Sequence, residues 1–226
     1  MELGRATWPQ VEANAGHWVL AVPVGSLEQH GPHLPLDTDT RIATAVAAGL
    51  VTRCPYVAQA PPVPYGASGE HAAFPGTLLV GHAVLTDFLL EVVRSSRASF
   101  VGVVVINAHG GNGPALEMLQ QRSTAEGDDV LVWGASVREG DAHAGRTETS
   151  MLLAIDPSVV DLARAEAGVT EPVESLLSRL RTLGVRPVSS NGVLGDPAGA
   201  NAQEGKALLD SLVSDLVGAV TTRWPQ

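Results

Sequence analysis

The sequence predicts an α/β protein, a single-domain three-layer α/β/α sandwich built on a mostly parallel sheet. One observation is that apolar strand candidates alternate with amphipathic helix candidates along the chain, which is typical of parallel sheets covered by helices. Another is that the strand candidates are nearly continuous apolar runs, as in strands buried on both faces. The chain has 226 residues, of which 45% are hydrophobic, so it can bury one large core. We therefore expect residues 1–226 to form one domain.

The first half of the chain gives two strands and two helices in alternation. Residues 17–24 form an apolar run, and a helix follows over about residues 38–51. Residues 56–63 are a weaker strand candidate because two prolines interrupt them. The next helix, over about residues 84–93, is predicted because its apolar residues fall in pairs four apart, which places them on one buried face. These apolar residues are Val84, Leu85, Phe88, Leu89, Val92 and Val93.

The second half repeats the alternation. Residues 100–106 are the clearest buried strand, and Pro114 opens a helix that reaches about Arg122. Residues 129–135 make another strand, followed by a helix that ends near Ile155. A closing amphipathic helix begins near Gln203. In sheets of this kind, ligands bind beyond the carboxyl ends of the strands.

The charge balance disfavours two classes of partner. With 14 basic and 24 acidic residues the net charge is −10, which repels nucleic-acid phosphates and anionic lipid surfaces. We therefore expect no nucleic-acid or membrane partner, and a small molecule or peptide instead. The single cysteine, Cys54, fits a reducing compartment, and the first twenty residues do not resemble a signal peptide. These features predict a cytoplasmic protein.

Carboxylates and imidazoles cluster in the Gly/Pro-rich turns that follow the predicted strands. Imidazole and carboxylate are the usual ligands of zinc, iron and manganese in proteins. Three separate strand ends each supply a histidine together with a carboxylate or an asparagine, which favours a metal or catalytic site over scattered structural roles. The candidate metal ligands are Glu28, His30, Asp37 or Asp39, His109 and Glu148.

Several candidates also have a simpler structural interpretation. Asp37 and Asp39 are equally suited to cap a helix, and residue spacing does not choose between them as ligands. If one of them is a ligand, its two oxygens could bridge two metals. His109 could be a turn histidine bonded to a carbonyl, and Glu148 could be placed by the helix dipole.

Three further residues have roles that residue type leaves open. His143 lies five residues before Glu148 and could donate a proton rather than bind metal. Glu70 and His71 lie in an irregular Gly/Pro-rich loop, where a structural role and a substrate contact are equally plausible.

Four motifs occur in order between residue 22 and about residue 155. They are Glu28-Gln29-His30-Gly31-Pro32-His33-Leu34-Pro35 with Asp39, then Glu70-His71 before Phe74-Pro75-Gly76-Thr77, then Asn107-Ala108-His109-Gly110-Gly111-Asn112, then His143-Ala144-Gly145 with Glu148-Thr149-Ser150. These motifs resemble the four signatures of the creatininase (creatinine amidohydrolase) family. The resemblance implies a three-layer α/β/α amidohydrolase that forms a homo-oligomer, a hexamer or octamer. It also implies two divalent metal ions per subunit, iron or zinc, with manganese as an alternative.

The resemblance assigns the metal ligands by position. It implies that Glu28, Asp39 and His109 bind the first metal, and that His30, Asp39 and Glu148 bind the second. Asp39 then bridges the two ions, and the choice that spacing left open is made by the family pattern.

One motif departs from creatininase itself, which has a metal-binding glutamate where this chain has Gly111. The departure disfavours creatinine as the substrate and gives the ligand role to Glu148, as in the formamide-hydrolysing and peptide-processing branches. The short chain and the loop over residues 190–200 are similar to the peptide-processing branch. Its members trim a modified precursor peptide and release its C-terminal Val-Tyr-derived unit.

The expected reaction is hydrolysis of a peptide amide bond by a metal-activated water, since a bound divalent ion lowers the pKa of water towards about 7. We expect His143 to protonate the departing amine, and Glu70 and His71 to contact the substrate. Two alternatives remain: an amidohydrolase acting on a small creatinine-type or formamide-type substrate, and a non-catalytic metal-dependent scaffold in a peptide-maturation complex.

Overall fold

The computed structural model describes residues 1–138 and 140–226, and it has the predicted α/β/α architecture. One sheet has the strand order β2-β1-β3-β4, and every neighbouring pair is parallel. The strands are β1 (Trp18–Val24), β2 (Val57–Gln59), β3 (Phe100–Asn107) and β4 (Val130–Gly134).

Helices cover both faces of this sheet, and no helix of the described residues has the length and apolar character needed to cross a membrane. Short 3-10 turns occur in the connections, among them Gly69–His71. The helices are α1 (Trp8–Glu12), α2 (Thr38–Arg53), α3 (His82–Ser96), α4 (Gly113–Glu126), α5 (Arg146–Ile155), α6 (Val173–Leu183) and α7 (Ala202–Arg223).

Alternating residues of the central strands build two separate cores. In β1, Val19 and Ala21 face the layer of α2, α5 and α7, whereas Leu20 and Val22 face α3 and α4. Successive side chains of a strand point to opposite faces of the sheet, so a nearly continuous apolar run serves both cores. This explains why β1 and β3 are recognisable from the sequence.

Two predicted elements differ from the structure. The strand predicted over residues 56–63 is only three residues long, and prolines, which cannot donate to a sheet, follow it at positions 61 and 62. In α3, Leu85 and Leu89 are buried as predicted, but Val84 and Phe88 are 59% and 51% exposed. Adjacent helix positions are rotated by about 100°, so these two residues lie off the narrow buried face.

The four strands end at one edge of the sheet because they are parallel, and the connections that leave this edge, with the first turns of α2 and α5, contain the predicted site residues. The loop after β1 contains Glu28 and His30, and the 3-10 turn after β2 contains His71. His109 directly follows β3, and the connection from β4 leads to His143. Sheet topology therefore brings groups that are distant in sequence to one place.

Helix α5, which carries Glu148 in its first turn, lies directly against α7. At Gly205 of α7 an added Cβ would lie 1.8 Å from the carbonyl oxygen of Ser150, so the two backbones are in close contact there. At Gly218, on the same helix, an added Cβ would meet nothing within 4 Å.

We predict opposite effects of alanine at these two glycines. Gly205→Ala should destabilise the protein by about 1–3 kcal/mol, because overpacking against the α5 backbone forces the helices apart. Gly218→Ala should be neutral or stabilising by up to about 1 kcal/mol, because alanine favours a helix over glycine. Urea unfolding of the two variants measures this, and equal effects would mean that the α5–α7 contact is not close.

Candidate metal centre

Seven ionisable side chains from the four strand-end loops and the first turns of α2 and α5 meet at the carboxyl edge of the sheet. Six of them are buried, and the side chain of Glu148 is 16% exposed. Their ligand atoms form three groups that could each hold a metal ion. The seven residues are Glu28, His30, Asp39, His71, His109, His143 and Glu148.

The first group contains Glu28, Asp39 and His109. Nδ1 of His109 lies 3.3 Å from Oε2 of Glu28 and 3.3 Å from Oδ2 of Asp39. These three residues are the set that the sequence resemblance implies for the first metal.

The second group contains His30, His143 and Glu148, with His143 where the resemblance implies Asp39, although Asp39 lies next to His30. Nε2 of His30 lies 3.1 Å from Oδ1 of Asp39 and 3.8 Å from Oε2 of Glu148. The two oxygens of the Asp39 carboxylate therefore face two different histidines. This is the arrangement that a bridging ligand between two ions requires.

The chemistry of these oxygens fits a cation. Both carboxylate oxygens of Glu28 and Oδ2 of Asp39 are buried, and none has a hydrogen-bond partner within residues 1–138 and 140–226. A buried carboxylate costs several kcal/mol unless positive charge compensates it, and the charged groups nearest to these oxygens are the imidazoles of His30 and His109. Divalent ions would supply the missing interactions.

Each proposed ligand histidine has its second ring nitrogen next to a partner. Nδ1 of His30 is 3.1 Å from the backbone oxygen of Glu28, so Nδ1–H donates and leaves Nε2 free for a metal. Nε2 of His109 is 3.4 Å from Oγ of Ser68 and 3.7 Å from Oε1 of Glu70. Such outer partners orient metal-binding imidazoles.

Glu148 is held by a strained turn at the start of α5. The backbone N–H of Ala144 donates to its Oε2 over 2.6 Å, and Ala144 has a φ of 53°. A positive φ is uncommon for a residue other than glycine and is found at sites where geometry is constrained by function.

In the buried centre, neighbouring charges shift the pKa values of the ionisable side chains. Burial lowers the pKa of His30, but Asp39 and Glu148 outweigh it and raise the pKa to about 10. The pKa of His109 is likewise well above its ordinary value, since Glu28 and Asp39 overcome the effect of burial. Burial, with Asp39 adding to it, raises the pKa of Glu148 to about 7. In the metal-free protein, the positive charges of protonated His30 and His109 therefore offset the negative charges of the carboxylates.

His143 and His71 behave in the opposite way. Burial and the neighbouring His30 hold the pKa of His143 well below its ordinary value. Burial lowers the pKa of His71 to about 4. Both rings are therefore neutral at physiological pH, and a neutral imidazole carries one donor nitrogen and one acceptor nitrogen.

Two residues of the first motif lie outside the centre. Asp37 is 38% exposed at its side chain and pairs with Nε of Arg41 over 2.7 Å, so Asp39 alone of the two is placed among the ligands. Nε2 of His33 lies 2.9 Å from Oγ1 of Thr149, which links the first loop to α5.

The structure also explains why glycine occupies position 111. An added Cβ would lie 2.4 Å from both Oε1 of Glu70 and Nε2 of His109. A glutamate here would displace Glu70 and His109, and the carboxylate that lies near His30 besides Asp39 is that of Glu148.

A cavity of about 1070 Å³ opens beside the centre. Asp39, His109, His143 and Glu148 line one side of it, and residues 169–174 line another. The predicted substrate contacts, Glu70 and His71, do not line this cavity. Their assignment stays a prediction.

Sequence reasoning missed the contribution of Gln29. Its side-chain nitrogen lies 2.9 Å from Nδ1 of His71 and 3.0 Å from Nε2 of His143. Its position between two predicted ligands, Glu28 and His30, is the only sequence signal for this role. Ser68, beside His109, carries no comparable signal.

Comparison with known proteins places this centre in a family. The family model described as creatininase, creatinine amidohydrolase, matches residues 4–220. The mycofactocin precursor peptide peptidase of Mycobacterium ulcerans (strain Agy99) is 45% identical, over 97% of this chain and 87% of that protein.

Solved structures agree. A creatinine amidohydrolase (creatininase) crystal structure superposes with a TM-score of 0.82 at 25% identity, covering 100% of this chain and 98% of that one. A structure described as creatininase Mn gives a TM-score of 0.81 at 26% identity, covering 100% of this chain and 99% of that one. The chain therefore belongs to the creatininase (creatinine amidohydrolase) family.

Proposed function

We propose that this protein is a dinuclear metal-dependent peptidase that cleaves a modified mycofactocin precursor peptide and releases its C-terminal Val-Tyr-derived unit. The observation that carries the proposal is the near full-length similarity to a mycofactocin precursor peptide peptidase, in a chain whose proposed ligands all meet at one centre. The neighbouring cavity, about 1070 Å³, is large enough for a peptide segment.

In the proposed mechanism, Glu28, Asp39 and His109 would hold one ion, and His30, Asp39 and Glu148 the other. Bound divalent ions would lower the pKa of a water and polarise the substrate carbonyl. His143 lines the cavity, so it is placed to accept the proton that the attacking water loses and to pass it to the nitrogen of the departing amine. Four of the five proposed ligands are buried, so their charges are largely removed from water.

The donor set supports iron or zinc, with manganese as an alternative. It consists of two imidazoles and three carboxylates without a thiolate, and such ligands suit these metals alike. We further propose two ions per subunit, a hexameric or octameric assembly, and a cytoplasmic location, which the lone buried Cys54 supports.

The bridging role of Asp39 is tested by a matched pair of amide substitutions. Asp39→Asn should lose both metal ions, because the two oxygens of Asp39 face both ligand sets. The affinity for metal should fall by more than the roughly 10–100-fold that is typical when an outer-shell residue is changed. Asp37→Asn should keep full metal content, since Asp37 pairs with Arg41. Metal analysis after dialysis measures this, and an Asp39→Asn protein with two bound ions would contradict the bridging role.

Metal binding should release protons. Without metal, His30 and His109 both carry a proton at pH 7 because their pKa values are raised, and each must lose it to become a ligand. Glu148, whose pKa is raised to about 7, is partly protonated as well, so we expect roughly two to three protons per subunit at pH 7, and fewer as the pH rises towards the pKa of His30. Calorimetric titration of the metal-free protein with zinc in buffers of different ionisation enthalpy counts them. A proton count of zero would show that both imidazoles are neutral before binding.

The substrate is tested by side-by-side assays on the modified precursor peptide, creatinine and a formamidopyrimidine. We expect cleavage of the peptide and no turnover of the two small molecules. Preferred turnover of either small molecule would favour a small-molecule amidohydrolase. Full metal content without turnover of any of the three would favour a non-catalytic scaffold.

A further inference from the structure

The side chain of Gln29 is buried between two histidines of the centre, and its contacts define which ring nitrogens carry hydrogen. Gln29 is 5% exposed. Its Nε2 lies near Nδ1 of His71 and near Nε2 of His143, at 2.9 and 3.0 Å. The proposed mechanism assigns no role to this amide, although an uncharged polar group buried at this depth needs partners.

Two backbone groups fix the orientation of the amide. The N–H of Gly31 donates to Oε1 of Gln29 over 2.9 Å, so this atom is the oxygen. On the other side, Nε2 donates to the carbonyl oxygen of Gly192 over 3.0 Å, so this atom is the nitrogen. A backbone N–H can only donate and a carbonyl can only accept, so the reverse orientation would lose both bonds.

The backbone of Gln29 then determines the tautomer of His143. Nε2 of His143 lies 2.8 Å from the backbone carbonyl oxygen of Gln29, which can only accept, so Nε2 carries the hydrogen. The other ring nitrogen, Nδ1, has no hydrogen-bond partner among the described residues and lies 3.7 Å from Oε1 of Glu28, so we assign it as the bare nitrogen. His143 thus presents an acceptor nitrogen to the centre.

The tautomer of His71 follows from the remaining hydrogen of the amide. One hydrogen of Nε2 goes to Gly192, and the protonated nitrogen of His143 cannot accept the other. Nδ1 of His71 is the remaining acceptor, at 2.9 Å. The neutral ring of His71 then carries its hydrogen on Nε2, which lies 3.3 Å from Oε1 of Glu28. His71 thus presents a donor nitrogen to the centre.

The loop that the sequence singles out at residues 190–200 holds this arrangement in place. Gly192 has a φ of 83°, and an added Cβ would lie 1.8 Å from Oε1 of Gln29, so only glycine permits the contact. Two residues later, Leu194 pairs with His143: its N–H donates to the His143 carbonyl over 2.9 Å and its carbonyl accepts from the His143 N–H over 3.2 Å. The same short segment therefore positions Gln29 and His143.

We propose that Gln29 is a positioning residue which fixes the tautomers of His71 and His143, so that the centre contains one donor and one acceptor imidazole beside the metal ligands. This deepens the proposed function, on which its catalytic consequence rests. A bare Nδ1 lets His143 take up a proton before passing it to the amine. A protonated Nε2 keeps His71 from binding a metal, although Glu28, His71 and His143 are close enough to form a third ligand group.

The direct test is NMR of the zinc-loaded protein labelled with carbon-13 and nitrogen-15 in its histidine rings. His71→Asn and His143→Asn variants serve only to assign the signals. We expect His71 as the Nε2–H tautomer and His143 as the Nε2–H tautomer with a bare Nδ1. An Nδ1–H tautomer at His71 overturns the proposal. This readout does not depend on peptide cleavage, so it separates failure of this inference from failure of the proposed function.

Gln29→Glu is the matching substitution, because a carboxylate has the shape of the amide but its oxygen accepts a hydrogen bond where the amide nitrogen donates one. His71 should then switch to the Nδ1–H tautomer, whereas His143, which is held by the backbone carbonyl of residue 29, should keep its hydrogen on Nε2. Gln10→Glu, at an exposed position in α1, should leave both unchanged. An unchanged His71 tautomer in Gln29→Glu overturns the proposal. If Gln29→Glu does not fold, Gln29→Met removes the donor instead, and a His71 ring that stays entirely in the Nε2–H tautomer in Gln29→Met overturns the proposal.

Discussion

The carboxylate of Asp39 is the interaction on which the centre depends. It is buried, and its two oxygens lie 3.1 Å from His30 and 3.3 Å from His109, which come from different strand-end loops. Burying a carboxylate in this environment is strongly unfavourable unless neighbouring positive charges compensate it. Protons on the two imidazoles supply that charge in the metal-free protein, and two divalent ions would supply it in the active one. The same oxygens explain why Glu28 and Glu148, on opposite sides of Asp39, belong to one site.

The sheet provides the geometry for this charge cluster. The loops that follow adjacent parallel strands leave the sheet at the same edge. Glu28, His109 and His143 therefore meet, although more than 100 residues separate Glu28 from His143. Helices α2 and α5 then bring Asp39 and Glu148 in their first turns. A carboxylate in the first turn is also favoured by the helix dipole, so the local structure and the proposed ligand role agree at both positions.

The sequence was sufficient for the fold and for the ligand candidates, because both follow from local patterns. Apolar runs that end in Gly/Pro-rich turns predicted β1 and β3, and the polar residues in those turns were the predicted ligands. The choice of Asp39 over Asp37 required the family pattern, and the pairing of Asp37 with Arg41 shows its structural basis. The exposure of Phe88 and the contacts of Gln29 were not predictable, since both depend on which distant segment packs against them.

Anomalous diffraction from crystals of the metal-loaded protein would show whether Asp39 bridges two ions, as we propose. We expect two anomalous peaks per subunit, one on the side of Glu28 and His109 and one on the side of His30 and Glu148, each within coordination distance of a different Asp39 oxygen. A single peak, or a peak held by Glu28, His71 and His143 without Asp39, would contradict the bridging role.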